Sequence, residues 1–477
     1  MAGARGGLVT AGSQGIKMLL QLFSLALLSR LLVPSDFGLV AVVTVIIGLG
    51  ELFRDFGLTT ASIQAKHLSQ GDKSALFWIN TLIGVALAAI ALSTAPLLGH
   101  LFDDPRLADI MVVLSVTFIL NGLQSQFRVE LVRNLQFGAI AVTELVPMVI
   151  GVGTAISMAL VGAGYWALVG QQLAATLMML VMRIGLSHWK PTKPSRIGAV
   201  TRFFRYGWNL AIAQFLSYGA SNADTIVIGT RFTTTDVGLY NRAYQVLMVP
   251  INQLLSPLTN VALPILSRLA SDELRFRKYL TAVFATLNYV AMAVFAVLIL
   301  SANEIIRLFL GEGWDVTAEI TKILAVAGLF QTMAYVAYWH FLARDLTGSL
   351  FRYNLATKPI TVFSIIVGSN YGLQGAAYGY AVGLIAAWPI VILWLRSDPF
   401  FASKQISLCS SRIVVMFLVI VGFGTFAIHL LNVAGSLRIA ASLGVIAIGT
   451  LVFAAIPWWR KDLRAVMLVL QQLRGNR

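Results

Sequence analysis

Charged and amide side chains set inside long apolar runs are the chemically informative residues of this 477-residue chain. Gln14, Lys17, Gln21 and Ser24 follow i, i+3, i+7, i+10 spacing, which at 100° per residue keeps them within roughly a quarter of a helix circumference. Gln214, Ser217, Ser221 and Asp224 repeat that spacing 200 positions later. Two such stripes facing each other would line a hydrated cavity. A charge near mid-bilayer costs several kcal/mol unless it reaches water or a partner, so Lys17 and Asp224 are functional candidates by default. A structural interhelical pair, or snorkelling of the long lysine side chain, stands beside that reading.

Glu51, Arg54 and Asp55 place a cation beside two carboxylates at helical spacing. Two nearby carboxylates raise one pKa and suit a proton carrier, whereas a solvated helix end with a local ion pair is the plain alternative. Arg54 also has the planar donor fork that suits a phosphate. Glu144 before Pro147 and Lys358 before Pro359 sit near expected helix distortions. Arg128, Arg133, Arg344 and Arg352 fall at helix ends where positive charge is expected for topology alone.

The elements that carry these residues are membrane spans. Of the residues, 58% are hydrophobic and 12% charged, too little polar surface to coat a globular protein in water. Segments of about 17 to 25 mostly apolar residues begin near residues 12, 37, 76, 107, 139, 165, 206, 240, 279, 316, 354, 372, 411 and 436, giving fourteen spans. If alternate connections face the cytoplasm from the N-terminus onward, 28 of the 35 Lys and Arg lie there. The other seven are Arg30, Arg106, Arg231, Arg242, Arg307, Lys322 and Arg438. Both termini are therefore expected to be cytoplasmic. The first apolar run lacks a small-residue cleavage site and leads into a second, so it reads as a retained helix.

Several function classes drop out. The net charge of +15 is spread in short clusters between apolar runs, unlike a nucleic-acid-binding face. Cys409 is the only cysteine, and the five His have no metal-ligand spacing, so neither a disulfide nor a metal is expected, and no cofactor. There is no G-x-x-x-x-G-K-[ST] phosphate loop, so ATP hydrolysis within the chain is not expected.

The basic stretch 187–205, with Pro191 and Pro194, divides the chain. The expected organisation is an N-lobe over 1–186 with helices one to six, this cytoplasmic linker, and a C-lobe over 206–395 with helices seven to twelve. Helices thirteen and fourteen and a basic tail occupy 396–477. An internal repeat supports the division. Asp36-Phe37-Gly38-Leu39 matches Asp236-Val237-Gly238-Leu239, with Arg30 and Arg231 just upstream, and Leu101-Phe102 matches Leu308-Phe309. The short turn Gly162-Ala163-Gly164 is mirrored at 371–375. Six helices separate the copies, so both share one orientation about an axis along the membrane normal. The fold class is all-α integral membrane: two pseudo-symmetric six-helix lobes around a central cavity, plus two C-terminal helices.

The stretch Leu28-Ser29-Arg30-Leu31-Leu32-Val33-Pro34-Ser35-Asp36-Phe37-Gly38-Leu39, continued by Leu52-Phe53-Arg54-Asp55-Phe56-Gly57-Leu58, resembles the opening of the polysaccharide transporter family. This is the Wzx-type branch of the multidrug/oligosaccharidyl-lipid/polysaccharide flippase superfamily. The resemblance continues through Asn222-Ala223-Asp224, 238–243 and 308–314. It implies a multi-pass protein of the bacterial inner membrane that flips undecaprenyl-diphosphate-linked oligosaccharide repeat units by alternating access, for exopolysaccharide, capsule or O-antigen export. A polysaccharide polymerase and a chain-length regulator are the implied partners, beside membrane lipids. The resemblance also implies a cationic cavity, with Lys17, Arg30 and Arg54 as substrate-binding candidates beside Gln14, Gln21 and Gln214. Asp224, Glu51, Asp55 and Glu144 are the ion-coupling candidates. The seventh helix departs from the cationic pattern by carrying Asp224. A cation-coupled exporter of drugs or other small molecules, of the related branch, is the alternative and shares this architecture. A membrane glycosyltransferase or polymerase would need catalytic residues on a sizeable outer loop, and the loop holding Asp103 and Asp104 is too short.

Overall fold

A computed structural model of the chain describes residues 2–55, 57–65, 67–193, 218–219, 222–431, 435–457 and 459. These residues are helical with short turns, the outcome expected when backbone N–H and C=O groups must be satisfied without water. The order is α1 Ala2–Leu31, α2 Pro34–Asp55, α3 Leu58–Gln64, α4 Gln70–Leu101, α5 Arg106–Leu114, α6 Val116–Arg133, α7 Phe137–Leu160 and α8 Trp166–Ser187. Then come α9 Ala223–Arg231, α10 Thr234–Arg268, α11 Glu273–Leu300, α12 Ala302–Leu310, α13 Asp315–Ala343, α14 Thr347–Gly368, α15 Gly372–Trp394, α16 Ser403–Leu430 and α17 Ser436–Ala454. Among the described residues, eleven helical runs are long and apolar enough to cross a bilayer. One of them, 347–394, turns back at Ser369–Tyr371 into the α14–α15 hairpin.

Local chemistry sets the boundaries. Pro34 opens α2, where its missing N–H costs nothing. A reciprocal cap between Ser69 and Asp72 starts α4. Ser115 interrupts the fourth apolar run, its hydroxyl donating to the Val112 carbonyl at 2.7 Å, so that run is α5 and α6. The α10 helix carries Pro250, Pro257 and Pro264, seven residues apart and so on nearly one face.

The chain forms two compact units, residues 1–238 with 309–311, and 239–308 with 312–477. The division thus follows the start of α10, and α9 belongs with the first unit. In the first unit α1 packs on α7, α7 on α8, and α4 and α8 on α6. The α4–α6 crossing is tight: a Cβ on Gly122 would lie 2.6 Å from the Asn80 carbonyl oxygen. The stretch after α8 straps onto α4. Buried Trp189 packs on Phe77 and Phe127 and donates to Gln70 at 2.8 Å, while Trp78 donates to the Thr192 carbonyl at 3.0 Å.

In the second unit α11 is central, packing on α13, α16 and α17. Helix α17 is pinned to it by the Ser301–Ser442 hydroxyl pair at 2.7 Å and by Arg438, which donates to the Leu300 carbonyl at 3.0 Å. In the α14–α15 hairpin, Gly375, Gly379 and Gly383 recur every four residues and bring the backbones together. A Cβ on Gly379 would lie 2.2 Å from the Ser364 carbonyl oxygen.

Candidate functional site

Most charged side chains of the first unit lie toward one or other of its two ends. One end gathers the end of α2, the starts of α4 and α7 and the ends of α6 and α8; it carries Arg54, Lys73, Arg128, Arg133 and Arg183 and is called the basic end here. The far end carries the starts of α2, α5 and α8.

Toward the basic end, the Lys17 ammonium reaches Glu144 on α7 at 3.5 Å, with both side chains about two-thirds buried. The bond joins the first-helix stripe to the distorted helix at Pro147. Within α2, Arg54 is buried and donates from Nε to Glu51 at 2.6 Å. Glu51 accepts at its other oxygen from Asn121 of α6 at 2.9 Å. Asn121 in turn accepts from Gln124, and Gln124 accepts from Arg183 of α8 at 3.0 Å. Arg183 is 7% exposed and lies in the field of Glu144 and Arg128. The neighbourhood therefore holds Lys17, Arg54, Arg128 and Arg183 against Glu51 and Glu144, an excess of positive charge within apolar helices. Among the described residues, Arg54 Nη1 and Arg183 Nε are buried without a hydrogen-bond partner. A phosphate oxygen is the acceptor that the Arg54 donor suits best.

The other expected residues are placed differently. Asp55 turns to α3 and accepts from Thr59. Gln14 and Gln21 are exposed on α1, and Ser24 is buried. Arg30 sits in the last turn of α1, about 20 Å of helix rise from Lys17, with Gly311 against its stem. The structure does not bring it to the Lys17–Glu144 pair. Asp224 is buried in the first turn of α9, where its Oδ1 accepts the Thr225 N–H at 2.8 Å. Gln214, Ser217 and Ser221 lie outside the described residues. Arg133 donates to the carbonyls of Ser62, Ile63 and Ala65, and Arg344 to that of Ala270 while lying over the Phe400 ring, so both serve chain packing.

Sequence reading passed over Asn121, Gln124 and Arg183. A signal for them was present: Asn121, Gln124, Ser125 and Arg128 follow i, i+3, i+4, i+7 spacing, and Arg183 is the only charge in its apolar run.

At the far end the repeated tetrapeptides meet. Asp36 accepts the Val33 N–H at 3.2 Å, and Asp236 accepts the Thr233 N–H at 3.1 Å, so each caps its own helix in the same way. The two helix starts then touch through their glycines. A Cβ on Gly38 would fall 1.7 Å from the Thr234 carbonyl oxygen, and one on Gly238 would fall 1.8 Å from that of Pro34. No side chain fits at either position. Asp36 also accepts from the Tyr165 N–H, which draws the α7–α8 turn onto this contact.

The chain matches the family described as "Polysaccharide biosynthesis protein" over residues 27–319. It belongs to that family. Among its relatives, the chain is 24% identical over 372 residues to the lipopolysaccharide biosynthesis protein WzxC of Escherichia coli strain K12, covering 77% of this chain and 74% of the relative. It is 22% identical over 420 residues to the probable low-salt glycan biosynthesis flippase Agl15 of Haloferax volcanii, covering 85% and 86%. The solved structure of the lipid II flippase MurJ in an inward closed conformation shares the fold, with a TM-score of 0.73 at 17% identity, over 95% of this chain and 99% of that one. The fold match thus reaches beyond residues 27–319 to 95% of this chain.

Proposed function

We propose that the protein is a flippase that moves an undecaprenyl-diphosphate-linked oligosaccharide repeat unit from the inner to the outer leaflet of the bacterial inner membrane, for exopolysaccharide, capsule or O-antigen assembly. Carrying the reading is the cation-rich polar cluster of α1, α2, α6, α7 and α8, set in an apolar bundle and holding a buried Arg54 N–H without an acceptor among the described residues. A diphosphate supplies that acceptor, while the polyprenyl chain stays in lipid. Relatives named for lipopolysaccharide and glycan biosynthesis support the substrate class.

In this reading both termini are cytoplasmic, so the basic end faces the leaflet where the glycolipid is made. Lys17 and Arg54 receive the diphosphate, Gln14, Gln21 and Gln214 border the sugar, and Asp224 answers to a coupling ion. Glu51 and Glu144 set the charge balance of the two cations, Asp55 stays with α3, and Arg30 serves the far end. Alternating access takes place between an N-lobe over 1–186 and a C-lobe over 206–395, joined by the linker 187–205. The Gly38–Gly238 contact closes the far end while the basic end loads. A polymerase and a chain-length regulator act on the delivered unit.

Complementation of a flippase-null strain tests the reading. Wild type restores polymer and clears the inner-leaflet glycolipid, whereas Lys17→Ala, Arg54→Ala and Asp224→Asn, inserted at normal levels, leave the glycolipid accumulating. Full export by all three variants removes the residue assignments. Failure of purified wild type to flip the glycolipid in proteoliposomes removes the function.

A further inference from the structure

The amide chain between the two buried arginines has a direction. Arg183 donates to Gln124 at 3.0 Å, Gln124 donates to Asn121, and Asn121 donates to Glu51 at 2.9 Å. Arg54 donates to the other oxygen of the same carboxylate at 2.6 Å. A cation stands at the head of the chain and an anion at its foot, and this fixes both amides. Reversing Gln124 would turn its NH2 onto a guanidinium, and reversing Asn121 would aim its oxygen at a carboxylate. Hydrogen bonds aligned in series polarise one another, most strongly where water is scarce. The residues come from three helices, α2, α6 and α8, so the chain also fixes the last turn of α2 against its neighbours.

Glu51 is thereby held, and Glu51 in turn holds the Arg54 guanidinium by Nε. A guanidinium is planar, so fixing Nε orients the remaining donors, including the unpartnered Nη1. We propose that Arg183 is a positioning residue. Through Gln124, Asn121 and Glu51, it sets the plane of Arg54 so that its open donors meet a diphosphate, and it does not itself bind the substrate. This rests on the reading of Arg54 as a diphosphate ligand.

A double-mutant cycle in the full-length, detergent-purified protein tests it, with inorganic diphosphate as the probe and affinity and thermal stability read in parallel. Arg54→Met is expected to reduce binding to a weak residual level. Arg183→Met is expected to weaken binding about tenfold, corresponding to about 1.4 kcal/mol, and Arg183→Lys to recover part of it. Gln124→Leu, which breaks the chain while Arg183 remains, is expected to match Arg183→Met and serves in its place should Arg183→Met fail to fold. In the Arg54→Met background, Arg183→Met and Gln124→Leu are expected to cost nothing further.

An equal loss from Arg183→Met with and without Arg54 would mean that Arg183 binds the anion directly, and overturns the positioning role. Unchanged binding in both Arg183→Met and Gln124→Leu, with Arg54→Met still defective, overturns the inference and leaves the Arg54 reading standing. Normal binding by Arg54→Met overturns both.

Discussion

A guanidinium carries five donors in one rigid plane, and Glu51 takes only the Nε donor of Arg54. A buried N–H without an acceptor costs about 1 to 3 kcal/mol, a cost tolerated where a ligand supplies the missing partner. Lys17 differs, because Glu144 already neutralises it at 3.5 Å. Two roles for that lysine are separable by charge exchange. Glu144→Gln leaves an intramembrane ammonium without its carboxylate and is expected to lower thermal stability. The swap Lys17→Glu with Glu144→Lys restores the pair and the stability. Export should stay lost in the swap if Lys17 receives an anion, since a carboxylate then occupies its place; recovered export would make the pair structural. Both partners were legible from sequence as charges in apolar runs, but their pairing was not, because 127 positions separate them and helix periodicity is local.

Asp104 offers a second test at this scale, outside the membrane spans. The Arg106 side chain donates to it twice, at 2.9 and 2.7 Å, and its backbone N–H once, at 3.1 Å; this hydrogen bonding holds the carboxyl below its ordinary value despite burial. A depressed folded-state pKa contributes stability that is fully present above the unfolded value and lost as pH falls through the folded one. The Asp104 contribution is therefore complete at neutral pH and disappears only below pH 3.8. Asp104→Asn should lower the melting temperature at neutral pH by roughly 2 °C, and the gap from wild type should close as the pH is taken below 3.8. A gap that stays constant with pH would assign the loss to packing.

At the scale of elements, the informative feature is the repeat. The tetrapeptides 36–39 and 236–239 could be matched in the sequence because each caps a helix start with an aspartate and follows it with a glycine. That the two glycines exist to let the helix starts touch each other was not readable, since a glycine in a helix gives no sign of what approaches it. The contact is backbone on backbone, so it resists even a methyl group. Gly38→Val and Gly238→Val are each expected to abolish polymer export with normal insertion. Val40→Ala, two residues further along α2, removes volume without adding any and should export normally. A cysteine pair at Pro34 and Thr234 should cross-link when both glycines are present and not in Gly38→Val. Cross-linking that persists in the valine variant would show that the contact adapts.

For the molecule as a whole, apolar run length and charge placement carried the fold class, because lipid leaves a chain few options. They did not reveal the break at Ser115, nor that 188–192 is strapped to α4 by Trp189 and Trp78 instead of hanging free. A tryptophan beside a basic stretch reads equally well as an interfacial anchor. Orientation remains the property from which the proposed direction of transport follows. Lys and Arg bias sets topology when counted over short connections, and the connections from α1 to α8 are short. Reporter fusions after Ser187, at the basic end, should be active only as a cytosolic fluorescent protein. Fusions after Leu101 or Val161, at the far end, should be active only as an exported phosphatase. The opposite pattern would place Lys17, Arg54 and Arg183 nearer the outer leaflet. The cation cluster would then receive glycolipid from the side to which it is meant to be delivered, and the proposed direction of flipping would fail while the family and fold stand.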